Sequence, residues 1–471
     1  MNFVVFVNGL ILLFMAALML LDAALFPATA GVFATSALIT GMVGGALALV
    51  TYGAFTGLRR LQTFLLTTSI WLTAAIAGAL PLYLWSMSPV DALFEATSGF
   101  TTTGSTVMTG LDDTPHGILM WRAMMQMMGG IGFIVVGIAL LPILKVGGMQ
   151  LFRTESSDKT DKELGNAARF AFGTLVVYAA LMALCAMLYR IGGMSVFNAA
   201  AHAMTTVSTG GYSTSDSSFG QFDSAFLQWV AVVFMVMGAL PFAWYLRVLL
   251  RHRLRSEQVM ALLWTLAAVI ACISLWLTLT TGTPVLDALR LVAFNVVSVI
   301  TTTGYATTDY TLWGPFAVAA FFMLTFAGGC TGSTSGGVKS MRWIILLRAA
   351  HAEIRKIPLP NAVSTIRYEG RKVEDDVMSG VISYFTIFAL TLACLAFALG
   401  LLGLDFQTAL SGALTSLTNV GPGIGPVIGP AGSFAPLGDS AKLLLVAGML
   451  LGRLEMLTVL VLLTPAFWRE V

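Results

Sequence analysis

Long apolar runs alternate with short ones along this chain, and the alternation repeats. Phe3–Leu21 and Ala34–Val50 are of spanning length and form an N-terminal pair. Four units follow, each a long apolar segment, a short apolar run, a hydroxyl- and glycine-rich turn, and a second long segment. The first unit is Leu61–Trp85, Pro89–Ser98, its turn, then Gly117–Leu144; the second is Ala167–Tyr189, Met194–Val207, its turn, then Phe226–Leu250. The third is Val259–Leu279, Leu291–Ile300 after the charged Asp287 and Arg290, its turn, then Leu312–Leu347. The fourth is Val377–Leu401, Phe406–Leu417, its turn, then Lys442–Phe467. The short runs cannot cross a hydrocarbon core and predict re-entrant segments. Ten spanning helices are expected, with both termini on one side and all repeats parallel. The boundaries fall at 1–58 for the helix pair and 59–152, 153–252, 253–354 and 355–471 for the units.

The turns carry the strongest signal. Thr101-Thr102-Thr103-Gly104 returns unchanged as Thr301-Thr302-Thr303-Gly304, with looser copies at Val207-Ser208-Thr209-Gly210 and Thr418-Asn419-Val420-Gly421. One copy alone would be an ordinary polar turn. Four copies in one context describe a four-fold structure at membrane depth.

Composition fixes the class. The chain is 57% apolar and 10% charged, against about 25% charged in soluble domains. An all-α integral membrane protein follows. No basic residue precedes Phe3–Leu21, so a retained helix is expected rather than a cleaved leader. Cys185, Cys272, Cys330 and Cys394 form no C-x-x-C pair, and His116, His202, His252 and His351 form no helical pair. No nucleophile–base–metal constellation supports an enzyme.

Net charge is only +2, but Lys and Arg concentrate on one side: Arg59 and Arg60, Lys145 to Arg169, Arg247 to Arg255, Arg342 to Lys372, and Arg469. That bias makes the side cytoplasmic. The opposite loops hold Asp91, Glu95, Asp112, Asp113, Asp216 and further aspartates, an outer face that attracts cations or is merely solvated. The polar connections Arg153–Lys162 and Arg355–Asp376 read as solvated linkers, or as a docking surface for a cytosolic partner.

Irregular backbone survives at membrane depth only inside protein or beside water, so the turns line a cavity. Carbonyls there can replace an ion's hydration shell. Glycine permits the positive φ that aims successive carbonyls at one axis, and inward helix C-termini favour a cation. The candidate ligands are Thr102, Thr103 and Gly104; Ser208, Thr209 and Gly210; Thr302, Thr303 and Gly304; and Asn419, Val420 and Gly421. No carboxylate lies within the turns, which argues against a calcium site.

A second feature sits in the third unit's last helix. Gly328–Gly337 holds Gly328, Gly329, Gly332, Gly336 and Gly337, and should break that helix, since each glycine costs about 1 kcal/mol relative to Ala. A phosphate cradle is the rival, but Val338 separates Gly337 from Lys339-Ser340, where a Walker motif has Lys directly. Arg453 lies within the last apolar helix, where a charge needs partners, and Lys339 is a second buried cation. Glu455, two residues on, is a poor intrahelical partner for Arg453.

Trp121-Arg122-Ala123, Gly129-Gly130-Ile131-Gly132-Phe133, the connection Gly148–Ser157, Cys330–Lys339 and Gly452-Arg453-Leu454-Glu455 complete a pattern. With the four turns it resembles the Trk/Ktr/HKT potassium-transporter superfamily, and within it the bacterial TrkH/TrkG branch, which shares the N-terminal pair. The resemblance implies a potassium filter built by the four turns, gated by the 328–337 loop, Lys339 and Arg453. It implies a multi-pass bacterial inner-membrane protein with cytoplasmic termini, carrying K+ and no organic cofactor. It also implies a homodimer with a cytosolic nucleotide-binding subunit resembling TrkA, and no nucleic-acid partner. Glycine in all four turns resembles the potassium-selective branch, while Asn419-Val420 departs most from the usual hydroxyls. A proton- or sodium-coupled symporter is the alternative to channel-like permeation, disfavoured because no Asp/Glu relay is visible in the spanning segments.

Overall fold

The protein, seen as a computed structural model, is described over residues 2–53, 60–139, 163–251, 254–359 and 365–470. The Gly148–Ser157 motif and the Arg153–Lys162 connection lie outside the described residues. Two helices, α1 (Asn2–Leu25) and α2 (Ala30–Thr51), pack antiparallel through a turn at Pro27–Thr29. Glycine permits their close approach: a Cβ on Gly9 would come within 2.8 Å of the Ala48 nitrogen, and one on Gly44 within 2.7 Å of the Leu12 Cβ. α1 runs past Leu21, which brings Asp22 into the helix and buries it.

The four units then follow. Unit 1 is α3 (Arg60–Trp85), α4 (Pro89–Phe100) and α5 (His116–Ala139); unit 2 is α6 (Glu163–Ile191), α7 (Val196–Val207), α8 (Ala225–Ala239) and α9 (Phe242–Arg251). Unit 3 is α10 (Glu257–Thr281), α11 (Val285–Ile300), α12 (Pro315–Leu324) and α13 (Ser340–Lys356). A hairpin, β1 (Arg367–Tyr368) with β2 (Arg371–Lys372), leads to unit 4: α14 (Asp375–Leu401), α15 (Phe406–Thr418), α16 (Asp439–Arg453), α17 (Met456–Leu460) and α18 (Pro465–Glu470). Among the described residues, six helices are long and apolar enough to cross a membrane, or up to eight if each of two bent pairs is one span.

α4, α7, α11 and α15 are the re-entrant segments. Ser88, Ser195 and Asp405 cap α4, α7 and α15 by accepting the backbone N–H of Asp91, Asn198 and Thr408. The bonds from Thr408 hold the exposed Asp405 carboxyl below the usual carboxylate range. The third segment starts earlier than its apolar run suggests: Asp287 and Arg290 lie inside α11 and pair at 3.2 Å. α5 packs on α7, α8 on α11, and α16 on α4, so the second helices of units 1 and 2 each support the next unit's re-entrant helix and that of unit 4 closes on the first.

Three of the long second segments are broken, where the apolar pattern predicted a break only in the third. α8 and α9 meet at 90° around Leu240-Pro241, because proline has no N–H and clashes with the preceding turn. α16 meets the Met456–Leu463 segment at 110°, with Glu455 at φ 61° between them. The third break spans everything between Leu324 and Ser340, wider than Gly328–Gly337. The breaks satisfy one another. The Phe242 N–H donates to the Gly332 carbonyl (2.9 Å), and the Ala239 carbonyl accepts the Cys330 N–H (2.9 Å).

Two charges expected on the surface are inside. Glu95 lies in α4, fully buried, rather than in an outer loop; Arg342, placed on the cytoplasmic face, is fully buried on α13. The Arg355–Asp376 linker is partly folded: Tyr368 is buried, and Glu369 accepts the Ser256 hydroxyl (3.0 Å) and the Glu257 N–H (2.6 Å) at the start of α10.

Candidate functional site

Each re-entrant helix ends in the same unusual backbone. Thr102, Thr209, Thr302 and Asn419 have φ of 51°, 52°, 57° and 54°, left-handed values that cost an L-residue roughly 1–2 kcal/mol each. Threonine is β-branched and poorly suited to that region, whereas asparagine tolerates it. Asn419 is therefore the easiest occupant of the four. Two residues later, Gly104, Gly211, Gly304 and Gly421 also have positive φ, at 85°, 76°, 83° and 111°.

The second turn thus differs by one residue from its sequence alignment. Gly211, not Gly210, is the counterpart of Gly104, and the equivalent triplet is Thr209-Gly210-Gly211, with Ser208 matching Thr101. Backbone bonds agree: the N–H groups of Thr103, Gly210, Thr303 and Val420 donate to Ser98, Thr205, Ser298 and Thr415 at 2.9, 2.9, 2.8 and 3.2 Å. The double glycine concealed the register, although Gly211-Tyr212 matches Gly304-Tyr305 and could have revealed it.

The four turns form a closed ring. A Cβ on Gly104 would overlap the Gly210 carbonyl oxygen; one on Gly211, that of Thr303; one on Gly304, that of Val420; and one on Gly421, that of Thr103. Each glycine faces the carbonyl that precedes the glycine of the next turn, and the fourth returns to the first. All four glycines line one cavity of about 280 Å³, shared with Ser105, Thr106, Ser213, Asp216 and Pro422. The turns contribute carbonyl and hydroxyl oxygens to it, the donor set suited to a monovalent cation, while the charged Asp216 and Arg122 also line it.

Side chains from outside the turns brace the ring. Arg122 on α5 donates to Glu95 (2.8 Å) and to the Ser213 carbonyl (2.9 Å), and lies 4.0 Å from the Tyr212 ring. Tyr212 donates to the Glu95 carbonyl (2.7 Å), and Tyr305 to that of His202 (3.3 Å), so turns 2 and 3 each hold the preceding unit's re-entrant helix. The Asn419 amide donates to Thr103 Oγ1 and to the Met449 carbonyl, both at 3.0 Å.

Below the ring lies the glycine-rich stretch. Its Thr334 hydroxyl donates to the Val207 carbonyl (3.1 Å), its Ser335 hydroxyl to Thr301 (2.8 Å), and its Gly337 N–H to Thr418 (2.7 Å). One segment therefore engages the C-terminal ends of three re-entrant helices. Gly332 and Gly337 supply its left-handed turns, at φ 81° and 67°. A Cβ on Gly328 would come within 2.5 Å of the Gly336 carbonyl, on Gly329 within 2.9 Å of the Ala239 carbonyl, and on Gly336 within 2.5 Å of the Thr418 carbonyl. Arg453, the last residue of α16, is buried and donates to the Thr334 carbonyl (2.9 Å) and the Gly129 carbonyl (3.4 Å). Lys339 is buried and bonds the Ser335 carbonyl. Glu455 pairs with Arg342 at 2.6 Å, and that guanidinium lies 3.7 Å from the Tyr384 ring.

The profile of the TrkH family, described as a cation transport protein, matches residues 29–469. The chain belongs to this family. TrkH proteins are transporters, not enzymes. The chain is 49% identical over 428 residues to the Trk system potassium uptake protein TrkI of Halomonas elongata, covering 90% of this chain and 87% of that protein. It is 35% identical over 426 residues to TrkH of Escherichia coli K12, covering 88% and 87%. The crystal structure of the potassium transporter TrkH from Vibrio parahaemolyticus superposes with a TM-score of 0.91 at 30% identity, over 99% of both chains. The TrkH fold accounts for the all-α membrane architecture.

Proposed function

We propose that this TrkH-family chain is the potassium-translocating subunit of a Trk-type uptake system. The observation that carries this is the closed ring of four glycines and four carbonyls around one cavity, which presents uncharged oxygens from every quadrant. K+, the transported substrate, sheds water in the outer cavity and is held by the carbonyls of Thr103, Gly210, Thr303 and Val420. Thr102, Thr209, Thr302, Asn419 and the glycines Gly104, Gly211, Gly304 and Gly421 set the backbone that aims them. Ser208 belongs to the end of its helix rather than to the ring.

The 328–337 loop, with Gly328, Gly329, Gly332, Gly336, Gly337 and Lys339, is the gate, held by Arg453. The loop's bonds to Val207, Thr301 and Thr418 occupy the helix ends that would otherwise face a passing cation. Permeation is channel-like once the loop withdraws. No carboxylate lies in the ring, so proton-coupled symport has less support.

The Lys/Arg bias supports a cytoplasmic position for both termini of a multi-pass protein, in a bacterial inner membrane on this reading. A homodimer served by a cytosolic nucleotide-binding subunit resembling TrkA completes the system. On this reading the chain divides into a helix pair, 1–58, and four pore units, 59–152, 153–252, 253–354 and 355–471, one to each quadrant.

Cation flux into proteoliposomes, wild type beside Gly104→Ser, tests the reading. The serine Cβ would meet the Gly210 carbonyl at a φ that disfavours it, so K+ flux should fall and the K+/Na+ ratio with it. Unchanged flux and ratio would move the pathway away from the ring. A current that reverses at the potassium equilibrium potential separates channel from symporter.

A further inference from the structure

Turn 2 lacks a side chain that the other turns have, and α5 fills the gap. The residue before the filter glycine is Thr103, Thr303 or Val420 in turns 1, 3 and 4, but Gly210 in turn 2. Backbone conformation does not demand glycine there, because Gly210, unlike Gly211, is outside the positive-φ region. Gln126 is what excludes a side chain: a Cβ on Gly210 would overlap its carboxamide, which supplies the three nearest atoms. Gln126 is fully buried. Its Nε2 donates to the Gly210 carbonyl at 2.6 Å, and its Oε1 accepts the Tyr212 N–H at 3.0 Å. In turns 1 and 3 the threonine hydroxyl braces its own turn instead, bonding Thr101 at 2.7 Å and Thr301 at 2.9 Å.

We infer that Gln126 is a specificity-determining positioning residue of the pore: its carboxamide replaces the missing side chain of turn 2 and fixes the Gly210 carbonyl from α5. A donor bound to that oxygen occupies one of its two lone pairs, so this quadrant has less to offer a cation than its neighbours. The second quadrant is then the weak one, set by α5 rather than by the turn itself. The inference rests on the ring being the filter.

The test is a double-mutant cycle read as K+ flux at matched content of folded, reconstituted protein and as the K+/Na+ ratio, which does not depend on how much protein folds. Full-length wild type, Gln126→Leu, Gln126→Ala, Gly210→Ala and the double variant Q126A/G210A are assayed for K+ and Na+ flux in proteoliposomes, beside Gly104→Ser. Gln126→Leu keeps the volume and removes both bonds; the K+/Na+ ratio should change by about tenfold. Gly210→Ala alone should nearly abolish K+ flux, and adding Gln126→Ala should restore it above either single variant. Additive effects, or a Gln126→Leu ratio equal to wild type, would overturn the inference. If Gly104→Ser shifts the ratio and Gln126→Leu does not, only this inference fails. If neither shifts it, the filter reading fails as well.

Discussion

Arg342 and Glu455 form a buried ion pair, 2.6 Å apart, that ties the helix after the third unit's loop to the kink in the fourth unit's last helix. Both side chains are withdrawn from solvent, at 0% and 5% exposure, so the desolvation cost is already incurred and removing one partner leaves the other uncompensated. Glu455→Ala should cost about 3–5 kcal/mol in detergent-solubilised stability. Replacing both residues with apolar ones should recover most of that loss. Thermal unfolding of the two variants and wild type checks it; equal losses from single and double replacement would show that the pair itself is not the source.

Arg453 joins the Thr334 carbonyl in the loop to the Gly129 carbonyl in α5. With the charge removed, the loop loses a tie to unit 1. Arg453→Ala should raise basal K+ flux without the cytosolic subunit, by about tenfold if the charged bonds contribute about 1.4 kcal/mol to the closed state. Proteoliposome flux at matched protein content measures this. Wild-type leak from a well-expressed variant would remove Arg453 from the gate.

Thr334→Val is a milder probe of the same element. It keeps the shape and deletes a hydroxyl within hydrogen-bonding distance of the Val207 and Gly238 carbonyls, at 3.1 and 2.9 Å. Neutral bonds contribute about 0.5–1.5 kcal/mol each, so basal flux should rise severalfold with selectivity unchanged. A changed K+/Na+ ratio would instead show that the loop shapes the filter.

Glu95 and Arg122 brace the outer mouth from positions 27 residues apart. Glu95 accepts from Arg122, Thr106 and the Val107 N–H. Glu95→Ala strands Arg122 in a buried site and should lower stability by about 3–5 kcal/mol. Glu95→Gln, which keeps the shape, should cost less. Thermal unfolding ranks the two; the reverse order would argue against charge as the cause.

The periodicity of the chain and the helix–turn–helix order of each unit were legible because hydropathy and glycine report directly on membrane depth and turn geometry. The break around Gly328–Gly337 was legible for the same reason. The kink at Pro241 could have been read from the proline itself but was masked by the apolar run around it, and the kink at Glu455 was not legible, because hydropathy says nothing about φ. Glu95 was misplaced because its partner Arg122 is distant in sequence, and a carboxylate without a visible partner is assigned to water. The register of turn 2 was hidden by adjacent glycines. Gln126 gave no signal at all, since its role depends on a contact with a glycine 84 residues away.

The closure of Gly421 onto Thr103 joins the chain's last quarter to its first, so the ring is made by a single polypeptide. A pore assembled from four copies of one subunit receives every substitution in quadruplicate. Here a codon change reaches one quadrant and leaves three intact. With the ring as the proposed filter, ion preference can therefore be adjusted in quarter steps, with no intermediate forced to rebuild the whole aperture at once.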